Sequence, residues 1–234
     1  MMKRLRHFLA LSFTFIRENR FMLAVIAAFY LIVASFSYLI YQQTYESLFN
    51  GLQNELTSTA RLAGASINGD EHRQLQESGA ESSPLYHNLK KRLQEVRDAN
   101  PKIRYAYTMA HTNDPNKLQF IVDAEEDPKL VSHLGDPYDV SGIIPQGFDG
   151  ALADSEPYTD EWGTFLSGYA PIYDSSGRAV AIIGIDMSLE TVNKTLAGQQ
   201  KLIFIPLGIL FLVPLVLSRL LFKKTRIITQ AQPA

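Results

Sequence analysis

Thr164-Phe165-Leu166-Ser167-Gly168-Tyr169-Ala170-Pro171-Ile172-Tyr173, then Asp174-Ser175-Ser176-Gly177, then Arg178-Ala179-Val180-Ala181-Ile182-Ile183-Gly184-Ile185-Asp186-Met187, reads as a β-hairpin. Two β-branched and aromatic runs flank a turn of small and polar residues. With Tyr173 opposite Arg178, Phe165 faces Asp186, Ser167 faces Gly184 and Tyr169 faces Ile182, all on one side of the sheet. On the other side Leu166 meets Ile185, Gly168 meets Ile183 and Ile172 meets Ala179. That second side is apolar or small and belongs to a core. The first carries a carboxylate, a hydroxyl, a phenol and a glycine that leaves room, a composition suited to a pocket floor.

Upstream, Ile103 to Met109 alternates as a strand, and Asn113-Asp114-Pro115-Asn116 turns the chain into a second strand, Leu118 to Asp123. Tyr105 and Tyr107 share one face. The stretch from Ala124 to Glu161 has few periodic residues and several Gly and Pro, and is expected to form a loop-rich flap. Before the strands come two helices. Tyr45 to Ser66 repeats Tyr45, Leu48, Leu52, Leu56, Thr59 and Ala63 at helical spacing until Asn68-Gly69 ends it. Ser83 then caps a helix with Pro84 at its first position and the stripe Leu85, Leu89, Leu93, Val96, closing before Asn100-Pro101. Leu189 to Gln200 leads onward from the hairpin.

Two hydrophobic anchors flank this region. No charged residue lies between Arg20 and Glu46, and Phe21 to Tyr41 is long enough to cross about 30 Å of hydrocarbon as a helix. Leu202 to Ser218 is a second uncharged run, extended to Phe222 if Arg219 snorkels. Lys3, Arg4, Arg6, Arg17 and Arg20 precede the first span, and Arg219, Lys223, Lys224 and Arg226 follow the second, so both ends are expected in the cytoplasm. The expected organisation is a basic N-terminus (1–20), a first span (21–41), an extracytoplasmic domain (42–200), a second span (201–222) and a short tail (223–234). Such a chain belongs in a bacterial inner membrane, with its domain in the periplasm or outside the cell. The break Arg17-Glu18-Asn19-Arg20 and the lack of a small-residue cleavage site argue against a cleaved leader.

From Gln42 to Lys201 there are 13 Lys/Arg against 23 Asp/Glu, which argues against nucleic acid as a partner. The chain has no cysteine, hence no disulfide. The five histidines, His7, His72, His87, His111 and His133, show no metal-binding spacing. Glu125-Glu126-Asp127 carries oxygen ligands of the kind Ca²⁺ takes, but reads more simply as a solvated turn. There is no nucleophile elbow, phosphate-cradling glycine loop or supported pair of catalytic carboxylates. Neither an enzyme activity nor a cofactor is expected.

The run Trp162-Gly163, Ser167-Gly168-Tyr169-Ala170-Pro171-Ile172-Tyr173-Asp174, Gly177 and Gly184-Ile185-Asp186-Met187-Ser188 resembles the closing hairpin of a single Cache domain. This is the PAS-like extracytoplasmic sensor of bacterial two-pass receptors. Ile67-Asn68-Gly69-Asp70-Glu71-His72, Ile103 to Thr108 and Gly135-Asp136-Pro137-Tyr138 fall where such sensors carry similar runs, so the resemblance covers roughly Gln42 to Leu189. It implies an α+β fold, with a long N-terminal helix on an antiparallel sheet and a small-molecule pocket between sheet and flap.

Asp186 is the leading site residue. In amino-acid-binding Cache domains an Asp at the matching place takes the ligand's amino group; the plainer reading is a helix cap or a structural ion pair. Tyr158, Asp160 and Trp162 form an aromatic wall with an acid beside it, suited to a cation, although Trp162 reads equally as a packing anchor. Tyr169 and Ser167 on the hairpin face, and Tyr105 and Tyr107, which share a parity on their own strand with the face left open, complete the set, with core packing as the alternative for each tyrosine, and Asp123 is a further polar contact at a strand end. These domains also carry an Arg shortly before the Trp for the ligand carboxylate. Here Asp160 and Glu161 stand there, which counts against amino acids.

The expected function is a membrane-anchored extracytoplasmic sensor for a small molecule, amine-bearing or cationic, that signals across the membrane. Receptors of this type continue into a cytoplasmic output module. The sequence has about a dozen residues after Phe222, so output is expected to run through a signalling partner or a homodimer. Leu48, Leu52 and Leu56 offer a dimer stripe or a face packed on the sheet. Pro206 and Pro214 in the second span would permit a kink. The alternative function is a membrane-anchored protein-interaction subunit with a Cache-like fold and no small-molecule ligand.

Overall fold

A computed structural model describes residues 20–78, 80–140 and 142–198, with positions 205, 208, 209, 212 and 216. The basic N-terminus, the body of the second span with its prolines, and the tail lie outside the described residues. The chain divides into two compact units, Ser47–Leu196 and a second made of Met1–Glu46 with Ala197–Ala234.

Helix α1, Arg20–Ser66, has 47 residues, more than twice what one membrane crossing needs. After Arg20 its first part is uncharged and presents Phe21, Leu31 and Phe36 outward. Among the described residues it is one helix long and apolar enough to span a membrane. Its last part turns amphipathic: Leu52, Leu56, Ala60 and Ala63 are buried against the sheet. The expected stripe therefore faces the domain's own core, which removes Leu52 and Leu56 as dimer contacts. Contact is close because Gly168 of the sheet has no side chain. A Cβ there would come within 2.7–2.8 Å of Leu56 backbone and Cβ atoms.

Helix α2, Gly69–Ser78, adds a helix to the two expected before the strands, because the chain restarts a helix where Asn68-Gly69 ends α1. Asn68 ends one helix and caps the next, its Oδ1 accepting from the Asp70 and Glu71 N–H groups at 2.9 and 3.4 Å. Helix α3, Pro84–Ala99, forms as expected, with Ser83 Oγ accepting from the Tyr86 N–H at 3.1 Å and Tyr86, Leu89 and Leu93 buried.

Among the described residues seven strands follow: β1 (Ile103–His111), β2 (Lys117–Asp123), β3 (Pro137–Asp139), β4 (Leu152–Ala153), β5 (Tyr158–Asp160), β6 (Gly163–Tyr173) and β7 (Ala179–Ser188). They pair antiparallel in the order β3-β2-β1-β7-β6-β4, and β5 extends the β6 edge. The expected flap holds β3, β4, β5 and a 3-10 turn, Ile144–Phe148. Residues 189–198 are helical, and the cap is Ser188, whose Oγ accepts from the Thr191 N–H at 3.3 Å, so Asp186 is not a helix cap.

The hairpin register differs from expectation by two residues. Ser167 pairs with Asp186, Tyr169 with Gly184, Leu166 with Met187 and Gly168 with Ile185. Part of the shift comes from a turn that closes Tyr173 on Ala179, and part from a bulge after which Ile172 meets Ala181. Two single steps restore parity. The faces are therefore as expected: Leu166, Ile172, Ile183 and Ile185 join the helices, whereas Phe165, Tyr169 and Ile182 face the flap with Tyr105 and Tyr107.

Candidate functional site

The site lies between the flap face of β1, β2, β7 and β6 and the flap segments around Ser132, Tyr138 and Trp162. Asp186 is its centre. β7 runs between β1 and β6, so Asp186 is buried between Tyr105 on one strand and Ser167 on the other. The Tyr107 hydroxyl donates to Asp186 Oδ1 at 3.3 Å. Gly184 makes this reach possible, since the Tyr107 ring lies where a Cβ of residue 184 would stand. Burial pushes the Asp186 carboxyl up to about 8, with the charges of Asp160 and Asp154 adding to the rise. Burial, and then Asp186 itself, raise the Tyr107 phenol, which stays a proton donor.

Two more carboxylates line the cavity. Asp123 Oδ1 accepts from the Glu125 N–H at 2.9 Å and Oδ2 from the Ser132 N–H at 2.8 Å, fastening the flap to β2. A bulge aims it there. Ile121 is the extra residue opposite Thr108–Met109, so Ile121 and Val122 both pack on the helix face and Asp123 returns to the flap face beside Tyr107. Asp160 Oδ1 accepts from the N–H groups of Trp162 and Gly163 at 3.0 and 3.2 Å, building the tight entry to β6. Burial raises both carboxyls, partly offset by these backbone donors.

The walls are aromatic. Trp162 stacks on Tyr138 at 6.0 Å and 25° and meets Phe120 edge-on at 5.7 Å, and Phe120 lies 5.5 Å from Tyr107. Tyr105 and Phe165 close the opposite side at 5.4 Å. Among the described residues, no Lys, Arg or His lines the cavity. Arg104 lies 4.3 Å from the Tyr105 ring centre, but its guanidinium pairs with Glu125 at 2.9 Å. The free space is small, about 20 Å³, room for one water.

Six of the nine residues expected from the sequence line this cavity: Tyr105, Tyr107, Asp123, Asp160, Trp162 and Asp186. Ser167 is fully buried behind Asp186, and Tyr158 and Tyr169 belong to a neighbouring cavity, their hydroxyls 3.4 Å apart. Sequence reasoning missed Phe120, Tyr138 and Phe165 among the walls. Tyr138 belongs to the Gly135-Asp136-Pro137-Tyr138 run, and Phe165 shares the face of Ser167 and Tyr169, so both carry a signal in the sequence. The acidic run is not a cation cage: Glu125 binds Arg104, and its Oε1 accepts from the N–H groups of Glu126 and Asp127. His133 lies on the surface paired with Glu81 at 3.2 Å.

No family model matches the chain, and no curated protein matches it. Among solved structures, the sensor domain of the Vibrio cholerae histidine kinase DctB superposes with a TM-score of 0.55 at 9% identity, over 72% of this chain and 60% of that one. The sensor domain of Escherichia coli DcuS gives 0.48 at 16% identity, over 64% and 98%. The ligand-binding domain of the Campylobacter jejuni chemoreceptor Tlp3 in complex with L-valine gives 0.34 at 15%, over 66% of each chain. The domain has the fold of the Cache-type sensor domains, an α+β architecture in which a long N-terminal helix backs an antiparallel sheet. At these identities the likeness is one of fold.

Proposed function

We propose that the chain is a membrane-anchored extracytoplasmic sensor whose pocket takes a small amine-bearing or cationic molecule. One observation carries the reading: three carboxylates line an aromatic cavity that has, among the described residues, no basic side chain to receive an anion. An ammonium group meets Asp186 in a charge-assisted hydrogen bond and the ring faces of Trp162 and the tyrosines in cation–π contact. A carboxylate ligand would instead meet Asp123, Asp160 and Asp186 with no counter-charge.

Binding selects a wider arrangement of the flap, because the free space beside Asp186 is only about 20 Å³. Ligand contact with Asp186 bears on β7, which continues into the helical residues 189–198 and the second hydrophobic run. Both termini lie in the cytoplasm of a two-pass inner-membrane topology, and the signal passes to a second copy or a separate signalling partner. The test is a thermal-shift screen of the full-length protein in detergent against amines, amino acids, short carboxylates and divalent cations. An amine at about a hundred times its dissociation constant adds about 2.7 kcal/mol, a rise of several degrees. Stabilisation by carboxylates alone would overturn the amine reading; a flat response to every class, with copurification of an extracytoplasmic protein, would favour the interaction-subunit reading.

A further inference from the structure

His72 takes no part in the site beside Asp186. It lies on α2, fully buried on the helix side of the sheet, where Leu75 and Val122 are core residues. Its Nε2 is 2.8 Å from Thr108 Oγ1 on β1, and that oxygen also accepts from the Val122 N–H at 3.2 Å. Its Nδ1 is buried with no hydrogen-bond partner among the described residues. A neutral imidazole fits this arrangement with one nitrogen unmet. An imidazolium carries an N–H on both nitrogens, so Nδ1–H would have no acceptor and the charge no counter-ion.

The helix that carries His72 is keyed to the β6–β7 turn. Gly69 lies against the Tyr173 carbonyl, in space that a side chain would need. Asp70 Oδ2 accepts from the Ser175 N–H at 3.1 Å, and Arg73 pairs with Asp174 at 3.0 Å. At the other end Gln76 Nε2 donates to the His111 carbonyl at 2.9 Å.

Helix α2 packs on β7, β6, β2 and α3, and the charged groups of these elements are turned elsewhere. Asp186 of β7 and Asp123 of β2 line the flap-side cavity. Asp174, after β6, pairs with Arg73 and Arg178. On α3, Lys90 donates to the Glu125 carbonyl and Arg92 to the Ser66 carbonyl, while burial keeps the Tyr86 phenol neutral. On β1, Arg104 pairs with Glu125 and His111 stacks on Phe148. On α2 itself Asp70 pairs with Arg73, and Glu71 borders a groove with Asn88 and Arg92.

We propose that His72 is an acid-operated release for α2: a second ring proton lifts the helix from the sheet and frees the β6–β7 turn, making acidity around the domain an input separate from the ligand at Asp186. Burial alone holds the imidazole down to about 4 from its ordinary 6.5. Between these values the released helix binds a proton that the docked helix does not, so docking weakens about tenfold per pH unit as pH falls from about 6.5 to about 4. Other shifted groups do not produce this effect. Burial raises Asp123, Asp154 and Asp186, so their protonation favours the fold on acidification. Hydrogen bonds from Ser176 and Arg178 hold Asp174 well below the usual carboxylate range, which keeps its pair with Arg73 charged throughout the window.

The test is hydrogen–deuterium exchange of the full-length protein in detergent, from about pH 7.5 to about pH 4.5, corrected for the intrinsic effect of pH on exchange. Peptides covering Gly69–Ser78 and the β6–β7 turn should lose protection about tenfold per pH unit below about 6.5, while β1 and β7 hold theirs. His72→Leu, which has nothing to titrate, should keep α2 protected across the range. If that variant does not fold, His72→Gln, which keeps a neutral partner for Thr108, takes its place. Unchanged α2 protection in the unaltered protein at the acid end overturns the proposal. Equal loss in the variant assigns the effect to other groups and overturns it too, as does a loss spread evenly over all strands. None of these results touches the amine reading, which the ligand screen decides.

Discussion

Tyr107 reaches Asp186 by lying across Gly184, its hydroxyl 3.3 Å from Oδ1 and its ring in the space a side chain on β7 would need. The polar heart of the site thus depends on a residue that has no functional group. Gly184→Ala forces the buried Tyr107 ring aside and should cost about 1–3 kcal/mol of stability, as overpacking does. Amine affinity should fall with it. Thermal melts and titration measure the two effects, and a variant that keeps wild-type affinity would remove the Tyr107–Asp186 pair from the binding account.

Asp186 carries a stability cost that depends on pH. Its folded pKa of about 8 exceeds the ordinary 3.8, so between these values the native state keeps a proton that the unfolded chain has lost. Stability contributed at this position therefore falls as pH rises from about 4 to about 8. Asp186→Asn, which cannot ionise, should be more stable than wild type near pH 8, on the order of a few kcal/mol, and should lose that advantage near pH 4. It should also lose amine binding. Melting temperatures of both proteins across that range test this; a constant difference would mean that Asp186 ionises normally in the fold.

In free protein the same carboxyl is largely protonated at neutral pH, and a cation favours the ionised form. Amine affinity should rise with pH up to about 8 and each binding event should release protons. Titration in two buffers of different ionisation enthalpy reads the proton count, with no release contradicting a carboxylate–ammonium contact.

Leu56 is fully buried beneath Gly168, whereas Leu62 on the same helix is 74% exposed. Leu56→Ala should cost about 2–5 kcal/mol, and Leu62→Ala should stay within about 0.5 kcal/mol. Single cysteines at positions 52 and 56 should not crosslink two copies. Ready crosslinking there would require a helix face different from the one seen.

Ser175, exposed at the tip of the β6–β7 turn, offers a test of topology in a chain without cysteines. In spheroplasts of a bacterial host, Ser175→Cys should react with a membrane-impermeant maleimide. Protection until the membrane is dissolved would place the domain in the cytoplasm.

Much of this was legible along the chain because it depends on local periodicity. Ser83-Pro84 with its leucine stripe marked α3, and the alternation in Phe165–Tyr169 and Ile182–Asp186 sorted pocket from core, since side-chain direction repeats every two residues. That sorting survived a wrong register because the turn and the bulge contributed one step each. The uncharged run after Arg20 likewise required only a count. Other features are non-local. The bulge at Ile121 swings Asp123 onto the flap face, Gly168 brings Leu56 of α1 against the sheet, and the Ser167 N–H, donating to Asp154, draws that acid from the flap to the strand beside Asp186. Residue patterns thus determined which elements form and which faces they bury. The tertiary structure decided which acids share a cavity, because strand pairing joins residues far apart in sequence, and their burial, not their identity, sets the charge they carry.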